Sequence, residues 1–501
     1  MRHLINNNSF FQTTSTIVSI FEYRMKQLTT CILIFLVMFI ASCKKDSFIT
    51  SPNAQVSLSA DTLHFDTVFT SVGSVTQSFK IFNNNNQKLK LSSVSLKGGA
   101  ASSYRIIVDG IPGPEVQDVE MEANDSLYVF VSININPNLA NLAFIVRDSI
   151  EITYNGNKSY LQLEAYGQNA NFLRNRKISS NTTWTNALPY VILGGIQIDT
   201  NATLTIQKGC KIYLHADAPF IVDGTLNVTG EKFDSTRVYF KSDRLDYPYN
   251  EYPGSWPGIY FRGQSKNNVL QYAVIQNAYQ GIVSELPSVN ANPKLTLEEC
   301  IIDNIYDAGI FGVQTSITAR NCLISNCGAA KESNNNITLA LGGDYHFTHC
   351  TVVGISNNYI PHQRPVLGAY NYALQNGSFI TAAMNAIFTN CIFFGDSLVD
   401  GNEILADKKG TDSYLVQFNN CLWRQKAIPS FITGLNNINI QGLDSDKLLF
   451  VNLDRSKRIF DFRLADNSPA INKGTNAAVI IDLDGKPRPV GAPDIGCYEK
   501  Q

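Results

Sequence analysis

The 501-residue sequence predicts an all-β chain, a β-sandwich followed by a right-handed parallel β-helix, and three observations carry that expectation. Short alternating strands, punctuated by Asn, Gly and Pro clusters, run from Val56 to about residue 168. From Trp184 onward, strands follow one another across tight turns with no helical stretch between them, and such strands can run parallel only if the chain coils. A short motif, apolar-x-x-small-x-apolar, then recurs along the coiled part at solenoid-like intervals.

Composition sets outer bounds. With 44% apolar and 16% charged residues, the chain carries enough apolar surface for a packed core. A net charge of -2 and the lack of any dense Lys/Arg tract leave little for the phosphate neutralisation that drives nucleic-acid binding, so nucleic acid is not an expected partner.

The apolar run Cys31 to Ile40 is ten residues long, when a bilayer-spanning helix needs about twenty. It follows Met25-Lys26 and leads into Ile40-Ala41-Ser42-Cys43, a signal-peptide core ending in small residues and a cysteine. This resembles the lipobox of bacterial lipoproteins. The resemblance implies a start at Met25, lipidation of Cys43 and tethering to the outer membrane or cell surface. A plain secretory signal or short membrane helix starting at Met1 is the competing reading.

After this leader (1–43), residues 44–55 read as a polar tether and 56–168 as the sandwich, with strands such as Gln77-Ser78-Phe79-Lys80-Ile81 and Leu127-Tyr128-Val129-Phe130-Val131. This segment resembles the immunoglobulin-like modules that precede binding or catalytic domains in exported proteins. Residues 169–183 read as a linker or cap, 184–440 as the β-helix, and 441–501 as its C-terminal end or cap.

The repeat aligns Leu270/Ala273/Ile275, Leu297/Cys300/Ile302, Ala319/Cys322/Ile324, Phe347/Cys350/Val352, Phe388/Cys391/Phe393 and Phe418/Cys421/Trp423. The small residues lie 27, 22, 28, 41 and 30 positions apart, one coil plus loops of varying length. A step of three before the small residue implies a corner, because unbroken strand alternation has period two. The cysteines are therefore expected as buried free thiols despite the exported setting.

Four positions further on stand Asn277, Asn304 and Asn326, then Gly354 and Gly395. Asn tolerates left-handed geometry, so a stacked Asn ladder is expected there. The position just after the small residue is apolar at Val274, Ile301, Leu323, Ile392 and Leu422, with Thr351 the exception. An outward row of this kind needs a cover, expected from an insertion loop or the sandwich, the alternatives being a partner chain or a corner displaced by one position.

Near the C-terminus, Asp461-Phe462-Arg463-Leu464, Ser468-Pro469-Ala470-Ile471-Asn472-Lys473-Gly474, Asp482-Leu483-Asp484-Gly485-Lys486-Pro487-Arg488-Pro489 and Asp494-Ile495-Gly496-Cys497-Tyr498-Glu499 resemble a choice-of-anchor signature. That signature is found in exported β-helix proteins of the pectin-lyase-like class, with Cys497 where alanine is usual. The resemblance implies a fold and a surface location and does not imply one reaction.

Catalytic chemistry is thinly represented. Cleavage of a polysaccharide on this scaffold needs a base with a cation for a uronate, or two carboxylates about 5 to 9.5 Å apart. Asp303 and Asp307 read as turn caps. His346 and His349, three apart in a strand, point to opposite faces unless a corner turns one of them. His362, Arg364, Lys408 and Lys409 fall in long insertions, and Asp482-Leu483-Asp484-Gly485 reads as a tight turn rather than a calcium loop. No catalytic residue, metal ligand or cofactor is assigned.

The glycan-binding candidates are Tyr247, Tyr249 and Tyr252, in a Pro- and Gly-rich stretch where flat rings can stack on sugars. Trp256 and Tyr260 read as interior filling. Asp-Ser/Thr-apolar tripeptides at Asp61, Asp66, Asp125, Asp148 and Asp396 resemble O-glycan acceptor sites. Three functions remain: a non-catalytic β-helix binding glycan or another envelope component, a polysaccharide lyase or hydrolase, and an adhesive spacer. Replacing Cys43 with Ala is expected to release the protein from the membrane fraction, and unchanged fractionation would rule out the lipid anchor.

Overall fold

The computed structural model describes residues 47–69, 76–135, 144–329, 334–396, 401–441 and 449–501. The leader with Cys43, and Ser397-Leu398 of the last acceptor tripeptide, lie outside the described residues. The chain divides into two compact units, one holding 76–133 and 147–164 and the other nearly everything from 165 onward.

The N-terminal unit contributes to two five-stranded sheets. In one, Gln77–Asn83 and Ser126–Ile133 pair antiparallel, and in the other Leu89–Leu96 and Phe144–Tyr154 do so. Alternation puts Leu89, Leu91 and Val94 in the interior while Lys90 stays exposed.

Among the described residues the second unit is built on one sheet of 26 strands, which up to the last coil pair in parallel with their equivalents one coil further along, as a parallel β-helix requires. Three faces repeat in order. Face A includes Phe220–Val222, Ile259–Phe261 and Ile282–Glu285. Face B includes Thr225–Thr229, Asn268–Gln271 and Leu295–Glu298. Face C includes Val238–Ser242, Ala273–Gln276 and Ile301–Ile305. The first parallel ladder of the solenoid joins Asn171–Ile178, within the segment 169–183 that the sequence leaves as linker or cap, to Tyr190–Ile198. Its outward Arg174, Arg176 and Lys177 mask the apolar periodicity there.

The corner between faces B and C turns as the repeat predicts. Tyr272, Glu299, Asn321, His349, Asn390 and Asn420 hold left-handed φ values of 48 to 55°, and each is followed by the small residue. Cys300, Cys322, Cys350, Cys391 and Cys421 are free and buried. Stacking lets a thiol donate to a carbonyl of the preceding coil: Cys300 Sγ lies 3.1 Å from Leu270 O and Cys421 Sγ 3.4 Å from Phe388 O. Beside them Phe347, Phe388 and Phe418 stack with centroids 5.3 and 4.8 Å apart.

The outward apolar row on face C is covered, and the cover differs from the expected insertion loop or sandwich. Residues 449–501 lie along face C and bury Leu323, Ile392 and Leu422 beneath Leu449, Phe450, Phe462, Leu464, Leu483 and Ile495. Polar bonds pin this cover coil by coil. Arg237 Nη2 donates to Leu483 O (2.8 Å), Asn321 Nδ2 to Ile481 O (2.8 Å) and Asn390 Nδ2 to Thr475 O (2.7 Å). The hydroxyl of Thr351, the polar exception in the row, accepts the Cys497 N–H at 3.1 Å. Residues 461–499, which carry the C-terminal resemblance, thus belong to a flank that spans several coils.

Corner residues beneath this flank titrate abnormally. Burial pushes the Glu299 carboxyl up to about 7, although the Asn321 amide donates to it at 3.1 Å. Burial and the nearby Arg488 push His349 down to about 3. Folded Glu299 keeps its proton to higher pH than the unfolded chain, so its stabilising contribution is complete below about 4.5 and is lost as pH rises through about 7. His349 acts oppositely: below about 6.5 the unfolded chain takes a proton that the folded state refuses, and stability falls as pH drops toward about 3. Glu299→Gln should flatten the loss between pH 4.5 and 7, and His349→Asn the acid-side loss, as read from urea midpoints across pH.

Candidate functional site

The corner between faces C and A carries the long excursions, and the loop 243–258 is the first of them. Its backbone is tied to the two coils that follow. Asn277 Nδ2 donates to Asn250 O (2.6 Å) and Asn304 Nδ2 to Glu251 O (2.8 Å), while Gly254 and Ser255 donate to Ala278 O and Asn277 O. The row Asn277, Asn304, Asn326, Gly354 and Gly395 stacks in the predicted register. Only one rung joins neighbouring amides, however, at 2.8 Å between Asn304 and Asn277. Asn326 instead bonds Asp303 at 3.0 Å, so the amides are divided between the ladder, the loop and a carboxylate.

Above this anchor the rings collect. Tyr247 is 74% and Tyr249 44% exposed, while Tyr252 is half-buried. Tyr252 meets Tyr249 edge-on at 5.4 Å and Tyr359, from the insertion 355–366, at 5.1 Å. Guanidinium groups lie over two of the rings: Arg244 Cζ sits 3.9 Å from the Tyr249 centroid and Arg458 Cζ 4.4 Å from that of Tyr359. Carboxylates cap both cations, Asp246 on Arg244 at 2.8 Å and Glu251 on Arg458 at 2.7 Å. Beneath Gly254, Tyr306 stacks on exposed Tyr279 at 5.3 Å. Trp256 is buried, as predicted, and donates to Gln276 O. Tyr260 departs from the expectation. It alternates outward on face A, half-buried, with its hydroxyl donating to Pro257 O.

Tyr260 belongs to a groove on the outer surface of face A. Pro219, Ile221, Tyr260, Val283, Arg262 and Glu285 line a depression of about 290 Å³. A second of about 210 Å³ shares Pro219 and Ile221 and continues to Gly195, Asn175, Arg176 and Lys177. Arg262 donates from Nε to Asp223 at 2.7 Å and holds that carboxyl below the usual range, with help from the Gln197 amide at 2.6 Å. Lys177 pairs with Asp199 at 2.9 Å. At the same corner His215 Nδ1 lies 2.8 Å from Asp243, whose carboxyl burial pushes up and whose Oδ1 has no hydrogen-bond partner.

The other candidates are structural. Asp303 accepts from Ser325 and Asn326, and Asp307 from Gln280 and Asn334, so both tie turns. His346 is half-exposed beside Asp344, whereas His349 is buried at the corner and takes the Asn390 amide at 2.9 Å, so the two do not converge. His362 and Glu403 form a buried pair at 3.0 Å in the space that Gly354 and Gly395 leave. A Cβ on Gly395 would lie 2.1 Å from the His362 ring. Lys409 packs over Tyr372 and Phe379, and Asp482 closes a tight turn through Gly485. Among the described residues no group of three or more His, Cys, Asp or Glu could hold a metal.

The sequence singles out Tyr247, Tyr249 and Tyr252 but not Arg244 in the same loop, nor Tyr359, Tyr279, Tyr306 and Arg458, which come from other coils or from the flank. The switch from Asn to Gly at 354 and 395 was the one available sign of the buried His362–Glu403 pair.

No family model matches the chain, and no curated protein does. Among solved structures, the catalytic unit of a GH87 alpha-1,3-glucanase from Streptomyces thermodiastaticus aligns over 73% of this chain and 89% of its own at 10% identity, with a TM-score of 0.17. A family 123 glycoside hydrolase from Clostridium perfringens aligns over 25% of this chain and 31% of its own at 10% identity, with a TM-score of 0.18. The Salmonella enterica SafA pilin–SafB chaperone complex aligns over 24% and 56% at 12% identity, with a TM-score of 0.16. At these scores neither a shared fold nor a shared activity follows.

If Asn304 anchors the loop, Asn304→Ala should cost about 1 to 2 kcal/mol and speed limited proteolysis within 243–258. Unchanged cleavage there would mean that the loop is held by other means.

Proposed function

We propose that this protein is an envelope lipoprotein, anchored through Cys43, whose right-handed β-helix binds a carbohydrate chain without cleaving it. In this reading the N-terminal sheets form an immunoglobulin-like sandwich that precedes the solenoid in the chain. One observation carries the binding reading: at the corner of faces C and A the exposed ring of Tyr249 and the half-buried ring of Tyr359 are held by stacked guanidinium groups, and face A carries a groove lined by aliphatic, aromatic, amide and charged side chains. Rings fixed before binding lose little entropy when a sugar stacks on them. The cations beside them are already neutralised by carboxylates, so the arrangement favours retention over proton transfer.

Cleavage of the same polymer is the competing reading, and the His215–Asp243 pair is what favours it. A half-exposed imidazole held by a mostly buried carboxylate has the form of a general base.

Both readings meet in one experiment, in which the purified mature protein is incubated with a panel of polysaccharides while retention and new reducing or unsaturated ends are recorded. The expected result is retention without new ends, lowered about tenfold in a Tyr247→Ala/Tyr249→Ala variant. New ends that disappear in His215→Ala would establish the enzyme. Absence of retention across the panel would leave the spacer role.

A further inference from the structure

Resting on the carbohydrate reading, we infer that the ligand is an uncharged, extended glycan lying along the solenoid axis on face A. Two independent features of the groove lead there.

The first is register. Gln197, Ile221, Tyr260, Val283 and Phe311 occupy equivalent outward positions on successive coils, each paired with the next in the parallel ladder. In-register strands are spaced about 4.8 Å apart, so these side chains form a row with one contact per rung. That spacing is close to the rise of one hexopyranose in an extended polymer, and the four intervals between these five rungs span about four sugar units. A compact ligand would use one rung and leave the rest idle. Beyond Phe311 the row closes, because Thr338 is buried and Gly368 has no side chain.

The second is charge. Arg262 is held by Asp223, Lys177 by Asp199, Arg244 by Asp246 and Arg458 by Glu251. Arg176 and Glu285, the other charged residues lining the groove, are opposite in sign. An acidic polymer would have to break a pair to use any of these four cations, and nothing in the groove would replace what each carboxylate lost, while Arg176 lines only one end of the groove. A neutral glycan meets the apolar floor through its C–H faces, and its hydroxyls meet the amides of Asn175 and Gln197 at one end.

The experiment is a calorimetric titration of the full mature protein with neutral and uronate oligosaccharide series of increasing length, at low and high salt. Affinity for a neutral series should rise about tenfold or more from disaccharide to tetrasaccharide and then level off, with little salt dependence. Tyr260→Ala should remove that gain, and Tyr260→Phe, which keeps the ring, should restore it. Tighter binding of the uronates, weakened by salt, would overturn the neutral ligand. Affinity independent of length, or a gain that Tyr260→Ala leaves intact, would overturn the axial track. If no saccharide of either series bound, the carbohydrate reading itself would fall.

Discussion

In-register stacking is the constraint on which the second unit depends. Every coil hydrogen-bonds to the next through parallel strands, so each side chain lies about 4.8 Å from its equivalents above and below. Whatever stands at one position must tolerate a neighbour of its own kind. Thiols and phenylalanine rings meet that condition inside, and an isolated charge does not. The corner adds its own demand: a left-handed residue followed by a small one turns the chain within two positions, and Asn321-Cys322, Asn390-Cys391 and Asn420-Cys421 all supply it.

The same periodicity creates a difficulty on face C, where an outward position repeats as Leu323, Ile392 and Leu422. The C-terminal segment resolves it by lying across several coils, with its carbonyls placed over the corner donors Arg237, Asn321 and Asn390. Arg488 and Glu499 sit fully buried within this flank, 3.0 Å apart. Such a pair stabilises little in itself, but it is costly to break, and it restricts the flank to one seating. Through Arg458 the flank also supports the tyrosine cluster, so the cover and the candidate site share one segment.

Much of the fold was legible because it is periodic. The cysteine row, the apolar outer row and the register of Asn277, Asn304 and Asn326 can all be counted along the chain. What covers the outer row could not be counted, because residues 449–501 meet face C through irregular loops whose contacts lie far away in sequence. The aromatic site was half legible for the same reason. Tyr247, Tyr249 and Tyr252 crowd one local stretch, whereas Tyr359 and Arg458 lie more than a hundred residues away. Tyr260 looked like interior filling beside Trp256, and its true direction depends on where strand alternation starts after Gly258.

Local order in the chain was therefore enough to establish a solenoid, its thiol-lined interior and its loop-bearing corner, since each follows from spacing between near neighbours. Folding decided which charges meet, which face receives the C-terminal flank and where a groove opens. Those outcomes depend on contacts between residues from separate coils, and no periodicity along the chain encodes them.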